Sequence, residues 1–489
     1  MDVRPRGWPE TRAPTRPNPH GGALPANCYR EKNRYNSRLP LANVAELVDA
    51  PDLGSGAERC ESSSLSVRTM VFLARRAAQS KRPLRLLCPA ANMNPHLSAL
   101  QPYPFTKLRA LLEQAGRPPG HLAPISLSIG EPKHPTPQFI IDAMTRSMGG
   151  LSTYPPTKGA ADLRETIADW IARRYGISRP DPETQVLPVA GSREALFSFA
   201  QAVIDARGDA RVICPNPFYQ IYEGAALLAG ARPYYINSQA DQGFGYDWSG
   251  VPEDVWRKTQ LLYLCSPGNP AGNVMQLDDW RTLFQLSDEF GFVIASDECY
   301  SEIYFDEARK PLGGMQAAVQ LGRPDFRNLV SFSSLSKRSN VPGLRSGFVA
   351  GDARLIEQFL LYRTYHGAAI SAVVSDTSVV AWRDEAHVVE NRRIYREKFA
   401  AVVPILGQLM DTGWPDASFY LWAKTPGSDT DFVRDLYAAT GVTALPGSFL
   451  AREAHGVNPG AGRVRLALVA PKAHCVEAAQ RIADFLQRG

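Results

Sequence analysis

Seven short runs of β-branched and other apolar residues recur through the middle of the chain: VLPVAG (186–191), RVICPNP (211–217), ARPYYIN (231–237), QLLYLCSP (260–267), FVIASDE (292–298), LVSFSSLS (329–336) and SGFVAG (346–351). Several are apolar without alternation, which predicts strands buried on both faces of a largely parallel sheet. Amphipathic stretches lie between them. In ADLRETIADWIARRY, the residues Leu163, Ile167, Trp170 and Ile171 fall at i, i+4, i+7 and i+8, on one face of a helix. Beyond residue 352 the periodicity becomes long and helical. A strand pair, SFYLWAK (418–424) and RVRLALV (463–469), interrupts it before a terminal helix. The pattern predicts an α/β fold, with one large sheet domain and a smaller α+β domain.

The first 92 residues do not follow this pattern. Residues 1–40 are rich in Pro and Arg, as in RPRGWPETRAPTRPNPHGG, with no hydrophobic period; such a composition cannot bury a core. Eight acidic residues in 1–92 argue against a transit peptide, and no apolar stretch near the start suits a secretory signal. The segment Ala45–Thr69 resembles the conceptual translation of a transfer-RNA gene. Residues 1–92 are therefore expected to be a disordered or spurious extension, with Met93 as the start.

Charge sharpens that division. The formal net charge is +5, yet residues 1–92 carry +7 and the remaining 397 carry −2. The body thus has no global charge that favours nucleic acid or an anionic membrane. At 44% hydrophobic and 21% charged residues the composition is that of a globular protein. No apolar run approaches the roughly 20 residues that span a bilayer. Seven cysteines, an odd number without a Cys-x-x-Cys, point to a reducing compartment, so a cytoplasmic protein is expected. The eight histidines show no ligand spacing, and no metal is expected.

Candidate chemistry sits at the ends of the strand-like runs, where open α/β sheets bind ligands. Four runs end in polar groups: Gly-Ser-Arg-Glu (191–194), Ser-Pro-Gly-Asn-Pro (266–270), Ser-Asp-Glu-Cys-Tyr (296–300) and Ser-Ser-Leu-Ser-Lys (333–337). Lys337 follows a buried strand, flanked by hydroxyls, with Arg345 eight residues on. Desolvation and nearby cations lower a lysine's pKa and make its amine nucleophilic. Ser334, Ser336 and Arg345 suit a phosphate, and the main chain of Ser192 and Arg193 at a helix start suits the same anion. Asp297 and Tyr300, three apart, can project from one turn; alternatively Asp297 caps a helix.

These motifs, in this order, resemble the fold-type I aminotransferases of class I/II, which use pyridoxal 5′-phosphate (PLP); the resemblance covers 93–489. It implies that Lys337 bonds the cofactor aldehyde, that Asp297 keeps the pyridine nitrogen protonated, and that Tyr300 and Asn269 donate to the ring oxygen. It implies phosphate ligands in Arg345 and Ser334, with Ser336 weaker, and a stacking role for Tyr219, which otherwise reads as core. Gly130 in SIGEPKHPTP would lie against the substrate carboxylate, and Arg465 would fork onto it, with Arg463 two residues away as the rival. Tyr154, otherwise an exposed turn tyrosine, would reach the partner's cofactor in a homodimer. The implied domains are 93–148 as an entry arm and the start of the small domain, 149–352 as the large PLP-binding domain, and 353–489 as the rest of the small domain.

Within that family the segments SIGEPKHPTP, YPPTKG, SLSKRSNVPGLRSGF and VTALPGSFLAREAHGVNPG resemble the bacterial succinyldiaminopimelate aminotransferases of lysine biosynthesis. Small amino donors and keto acids are the implied partners. Arg363 and His366 could meet a distal carboxylate, with a surface ion pair as the simpler reading of Arg363. Other readings are a class I/II aminotransferase of different substrate, a PLP β-lyase, and a regulator with an aminotransferase-like body, although 1–92 lack a helix-turn-helix pattern. The charge division generates one prediction. Deletion of residues 1–92 leaves the melting temperature and turnover of the purified protein within error; a large loss of either shows that the head contributes to the folded body.

Overall fold

The computed structural model describes residues 93–488; residues 1–92, and with them the expected extension, lie outside the described residues. All seven apolar runs form strands of one sheet. They are β1 (Val186–Val189), β2 (Arg211–Asn216), β3 (Arg232–Asn237), β4 (Thr259–Cys265), β5 (Val293–Asp297), β6 (Leu329–Ser334) and β7 (Gly347–Gly351). The spatial order is β1-β7-β6-β5-β4-β2-β3. Only β7 runs against its neighbours, pairing antiparallel with β1 and β6. The three inner parallel pairings explain the continuous apolar runs, because both faces are covered there, whereas the fourth adds β3 at the edge, which is mostly half-buried. Register then fixes the site: Asp297, at the end of the central strand, lies opposite Cys265 on β4 and Phe332 on β6.

Helix α1 (Ala161–Tyr175) buries Leu163, Ile167, Trp170 and Ile171, and stops at Gly176 in a left-handed conformation. Helix α2 (Ser192–Val203) follows β1 directly, and α3 (Ala353–His366) follows β7. Helix α4 (Ala372–Arg383) packs on α1, where Trp382 and Trp170 approach with ring centroids 4.8 Å apart. Truncating one such buried tryptophan to alanine costs about 3–5 kcal/mol. α4 therefore shares the core of the large sheet although it lies beyond residue 352.

A second core surrounds a smaller antiparallel sheet of β8 (Tyr420–Lys424), β9 (Leu445–Pro446) and β10 (Arg463–Ala467) in the order β9-β10-β8. Helices α5 (Ala386–Leu406) and α6 (Lys472–Arg488) pack together against it through Phe399, Leu406 and Ile482. Residues Ile125–Ser126 pair in parallel with Val442–Thr443, so the segment before α1 joins this second core. Among the described residues no helix is long and apolar enough to cross a membrane.

Candidate active site

The turn after β6 carries Lys337 in a one-turn helix, Leu335–Arg338. Ser334 caps that turn: its hydroxyl accepts from the Ser336 N–H at 3.0 Å and lies 2.8 Å from Ser336 Oγ. Lys337 is half-buried, and its Nζ donates to the Gly130 carbonyl at 2.7 Å. Burial pulls its ammonium down to about 8; the Arg193 and Arg345 guanidinium groups add to this, while Cys299 and Glu131 oppose it. About a tenth of the amine is therefore unprotonated at neutral pH, far more than for an ordinary lysine.

Asp297 ends β5, buried. Its carboxylate accepts from Tyr222 Oη at 2.7 Å and from the Cys299 N–H at 3.2 Å. A turn follows rather than a helix, so Asp297 is not a helix cap. Among the described residues no lysine or arginine forms an ion pair with it, and burial pushes its carboxyl above the usual range against the pull of Tyr222 and Cys299. Tyr300 lies in the following turn, with its hydroxyl 3.0 Å from Tyr420 Oη.

A second group of contacts gathers at the start of α2. Gly191 is its N-cap at φ +85, and a Cβ there would collide with the Arg345 guanidinium. Arg345 donates to the carbonyls of Pro342 at 3.1 Å and Ala190 at 3.4 Å, and no carboxylate pairs with it among the described residues. Cys299 Sγ donates to Ser192 Oγ at 3.0 Å, tying the α2 start to the turn after β5. Arg193, expected to act through its main chain, also uses its side chain: Nε donates to Tyr219 Oη at 2.5 Å.

Arg465 on β10 completes the cluster. It is buried, and it donates to Asn269 Oδ1 at 2.9 Å and to the Ser128 carbonyl at 2.8 Å. Its guanidinium lies 4.4 Å from the Tyr420 ring centroid, and its Nε has no partner among the described residues. Arg463 instead bonds the Trp422 carbonyl at 3.1 Å and packs on Phe244, away from Asn269. Gly130 lies against Tyr420, whose hydroxyl leaves no room for a Cβ. Tyr154 is fully exposed and joins none of these groups within the described residues.

The donor set fits PLP on three counts. A buried carboxylate lacks a cation, which a protonated pyridine nitrogen supplies. An arginine beside a helix start lacks an anion, which a phosphate supplies. An amine with its pKa brought to about 8 stands between them, suited to an aldehyde. The family model "Aminotransferase class I and II" matches residues 123–482. The chain belongs to that family. Like the rest of the class it is a PLP-dependent aminotransferase of the fold-type I architecture.

This aminotransferase is 53% identical to an aminotransferase of Neisseria meningitidis Z2491 of known structure, with a TM-score of 0.78 over 80% of this chain and 100% of that one. It is 32% identical to the LL-diaminopimelate aminotransferase of Nitratidesulfovibrio vulgaris strain DP4, over 80% of this chain and 98% of the relative. The probable N-succinyldiaminopimelate aminotransferase of Thermus thermophilus is 26% identical, with a TM-score of 0.68 over 78% of this chain and 99% of that one.

Two corrections and several additions follow for the aminotransferase. Arg363 is ion-paired, as its simpler reading had it, but it is buried rather than at the surface and its carboxylate partner is the protein's own. Its NH1 is bonded to both Glu194 oxygens at 2.7 and 2.9 Å and its NH2 to the Ala368 carbonyl. His366 stands 3.9 Å from the same carboxylate. Sequence reasoning missed Tyr222, Cys299 and Tyr420, which surround Asp297 and Tyr300. Tyr222 had a signal, since it falls three residues after Tyr219 at the start of a helix.

The geometry around Asp297 predicts opposite effects on stability and activity. Its folded pKa is raised, so the folded state binds a proton more readily than the unfolded one, and the group destabilises the apoprotein as pH rises above the usual carboxylate range. Asp297→Asn should therefore leave the apoprotein as stable as wild type, or more so, at neutral pH, in thermal melts. Turnover of the PLP-loaded protein should fall by about 100-fold or more. Wild-type turnover in the variant contradicts the electronic role.

Proposed function

We propose that this aminotransferase exchanges the amino group of a diaminopimelate-type amino acid with 2-oxoglutarate, and that the N-succinyl form is its substrate in lysine biosynthesis. The observation that carries the reading is Arg465, a buried arginine with no carboxylate partner among the described residues, which donates to Asn269 and packs on Tyr420, the side chain against Gly130. Its fork matches an α-carboxylate bidentately and so orients the Cα–H. Lys337, whose amine donates to the Gly130 carbonyl, would take the Cα proton and deliver it across the amino nitrogen, a 1,3 shift rather than a transfer to a neighbouring carbon.

The remaining residues would hold the cofactor, in the roles that follow. Asp297 keeps a proton on the ring nitrogen, Tyr300 and Asn269 donate to the ring oxygen, and Tyr219 stacks on the ring. Arg345, Ser334, Ser336 and the N–H groups of Ser192 and Arg193 hold the phosphate. PLP, when bound, supplies the electron sink and the amino carrier. Tyr154 contributes from a second copy of the chain. In support, Ile141, Met144, Met148 and Leu151 are all more than 40% exposed near it in sequence, an apolar set suited to a homodimer.

Unmodified LL-diaminopimelate is the second reading, favoured by the names of the relatives at 30–32% identity. The two differ at the far end of the substrate, an ammonium in one and a succinyl carboxylate in the other. Steady-state kinetics of the PLP-loaded protein on both compounds, glutamate, tyrosine and alanine separates them. The proposal expects the succinylated compound to have the highest kcat/KM, by about tenfold or more. A higher value for LL-diaminopimelate selects the second reading, and a higher value for tyrosine or alanine removes both. Arg465→Lys should lower all these reactions together, because it keeps the charge and loses the fork.

A further inference from the structure

Behind Lys337 lies a buried polar chain that no step above uses. Lys398 on α5 is fully buried, and among the described residues no carboxylate pairs with it. Its Nζ is within hydrogen-bond distance of three acceptors: His134 Nε2 at 2.6 Å, the Leu468 carbonyl at 3.0 Å and the Val469 carbonyl at 3.1 Å. Asn391 Oδ1 can only accept, so the ring proton of a neutral His134 is on Nδ1 and Nε2 is left to accept; Lys398 then needs three N–H groups, those of an ammonium. His134 Nδ1 donates to Asn391 Oδ1 at 3.0 Å. Asn391 Nδ2 then donates to the Lys337 carbonyl at 3.2 Å and the Arg338 carbonyl at 3.3 Å. Every donor along this line faces an acceptor.

The two ends of the chain are the two elements that must be held in register. Leu468 and Val469 follow β10, which carries Arg465. His134 belongs to the same loop as Gly130, whose carbonyl holds the Lys337 amine. We propose that Lys398, His134 and Asn391 form one positioning relay that sets the Lys337 amine against Arg465. Lys337 is thereby gripped twice, by its carbonyl through Asn391 and by its amine through Gly130. Lys398 and Asn391 are buried, and His134 between them is half-buried. Besides each other, the groups that face Lys398 and His134 are the Tyr395 ring and, from α6, the Cys475 thiol. Burial holds His134 down to about 4 and Lys398 to about 8, so His134 is neutral and Lys398 mostly charged at neutral pH.

The inference rests on Lys337 being the cofactor lysine, and the test separates the two. The PLP-loaded wild type, His134→Phe, Lys398→Met and the double variant are titrated with pH, following the cofactor absorbance, and their kcat and KM are measured. Phenylalanine keeps a ring against Tyr395 and cannot relay. The relay predicts a shift of the spectral midpoint by about 0.5 unit or more in each single variant. It predicts kcat lower by about 10- to 100-fold with KM for the amino donor little changed. The double variant should lose no more than the worse single, because all three groups act as one. Wild-type midpoints, or losses that multiply in the double variant, overturn it. Should either single variant not fold, Asn391→Ala breaks the last link and is judged by the same readings. Lys337→Ala is the control: persistence of the wild-type absorbance band there overturns the cofactor assignment, whereas its loss with unshifted relay variants overturns the relay alone.

Discussion

A carboxylate taken out of water without a counter-charge is costly, and the central strand of the large sheet ends in one. Asp297 is buried, bonded by the Tyr222 hydroxyl and by the amide and thiol of Cys299, with no ion pair to Lys337 or any arginine among the described residues. The neighbouring strand ends show the same imbalance with other signs. Among the described residues Arg345 has no anion, Arg465 has no carboxylate, and the Lys337 amine donates a hydrogen bond to the Gly130 carbonyl. Each group alone is a defect in stability. Together they match the nitrogen, phosphate, aldehyde and substrate carboxylate of one PLP-dependent reaction.

The fold makes this concentration possible. Parallel strands β4, β5 and β6 end level, so the turns after them open on one edge. Both sheets contribute, since Arg465 and Tyr420 come from the smaller one and Asp297 and Lys337 from the larger. Contacts between the two are specific. Gly130 can touch Tyr420 only because it lacks a Cβ, and Arg465 bonds Asn269 across 196 residues.

Much of this was legible in the sequence because it is local. The seven strands are continuous apolar runs, and the polar residues that follow them are the site. Several runs overshoot their strands by a residue or two, as FVIASDE does at Phe292 and Glu298. What could not be read depends on distant packing. The Tyr222 bond to Asp297 spans 75 residues, and the chain from Lys398 to His134 spans 264. Arg363 is the instructive error. It lies in the last turn of α3 beside His366, where cations commonly meet solvent. Yet Ile356, Phe359 and Arg363 fall at i, i+3 and i+7 and are the buried residues of that helix, so its register pointed inward. Likewise α4 reads as part of a helical C-terminal region, while its Trp382 belongs to the core of the large sheet.

The chemistry of the site turns on the amine of Lys337. Its most direct test is borohydride reduction of the PLP-loaded protein followed by peptide mapping. A single stable cofactor label is expected on Lys337, and none on the protein in which Lys337 is replaced by alanine. A label on another lysine, or one that survives that replacement, contradicts the assignment.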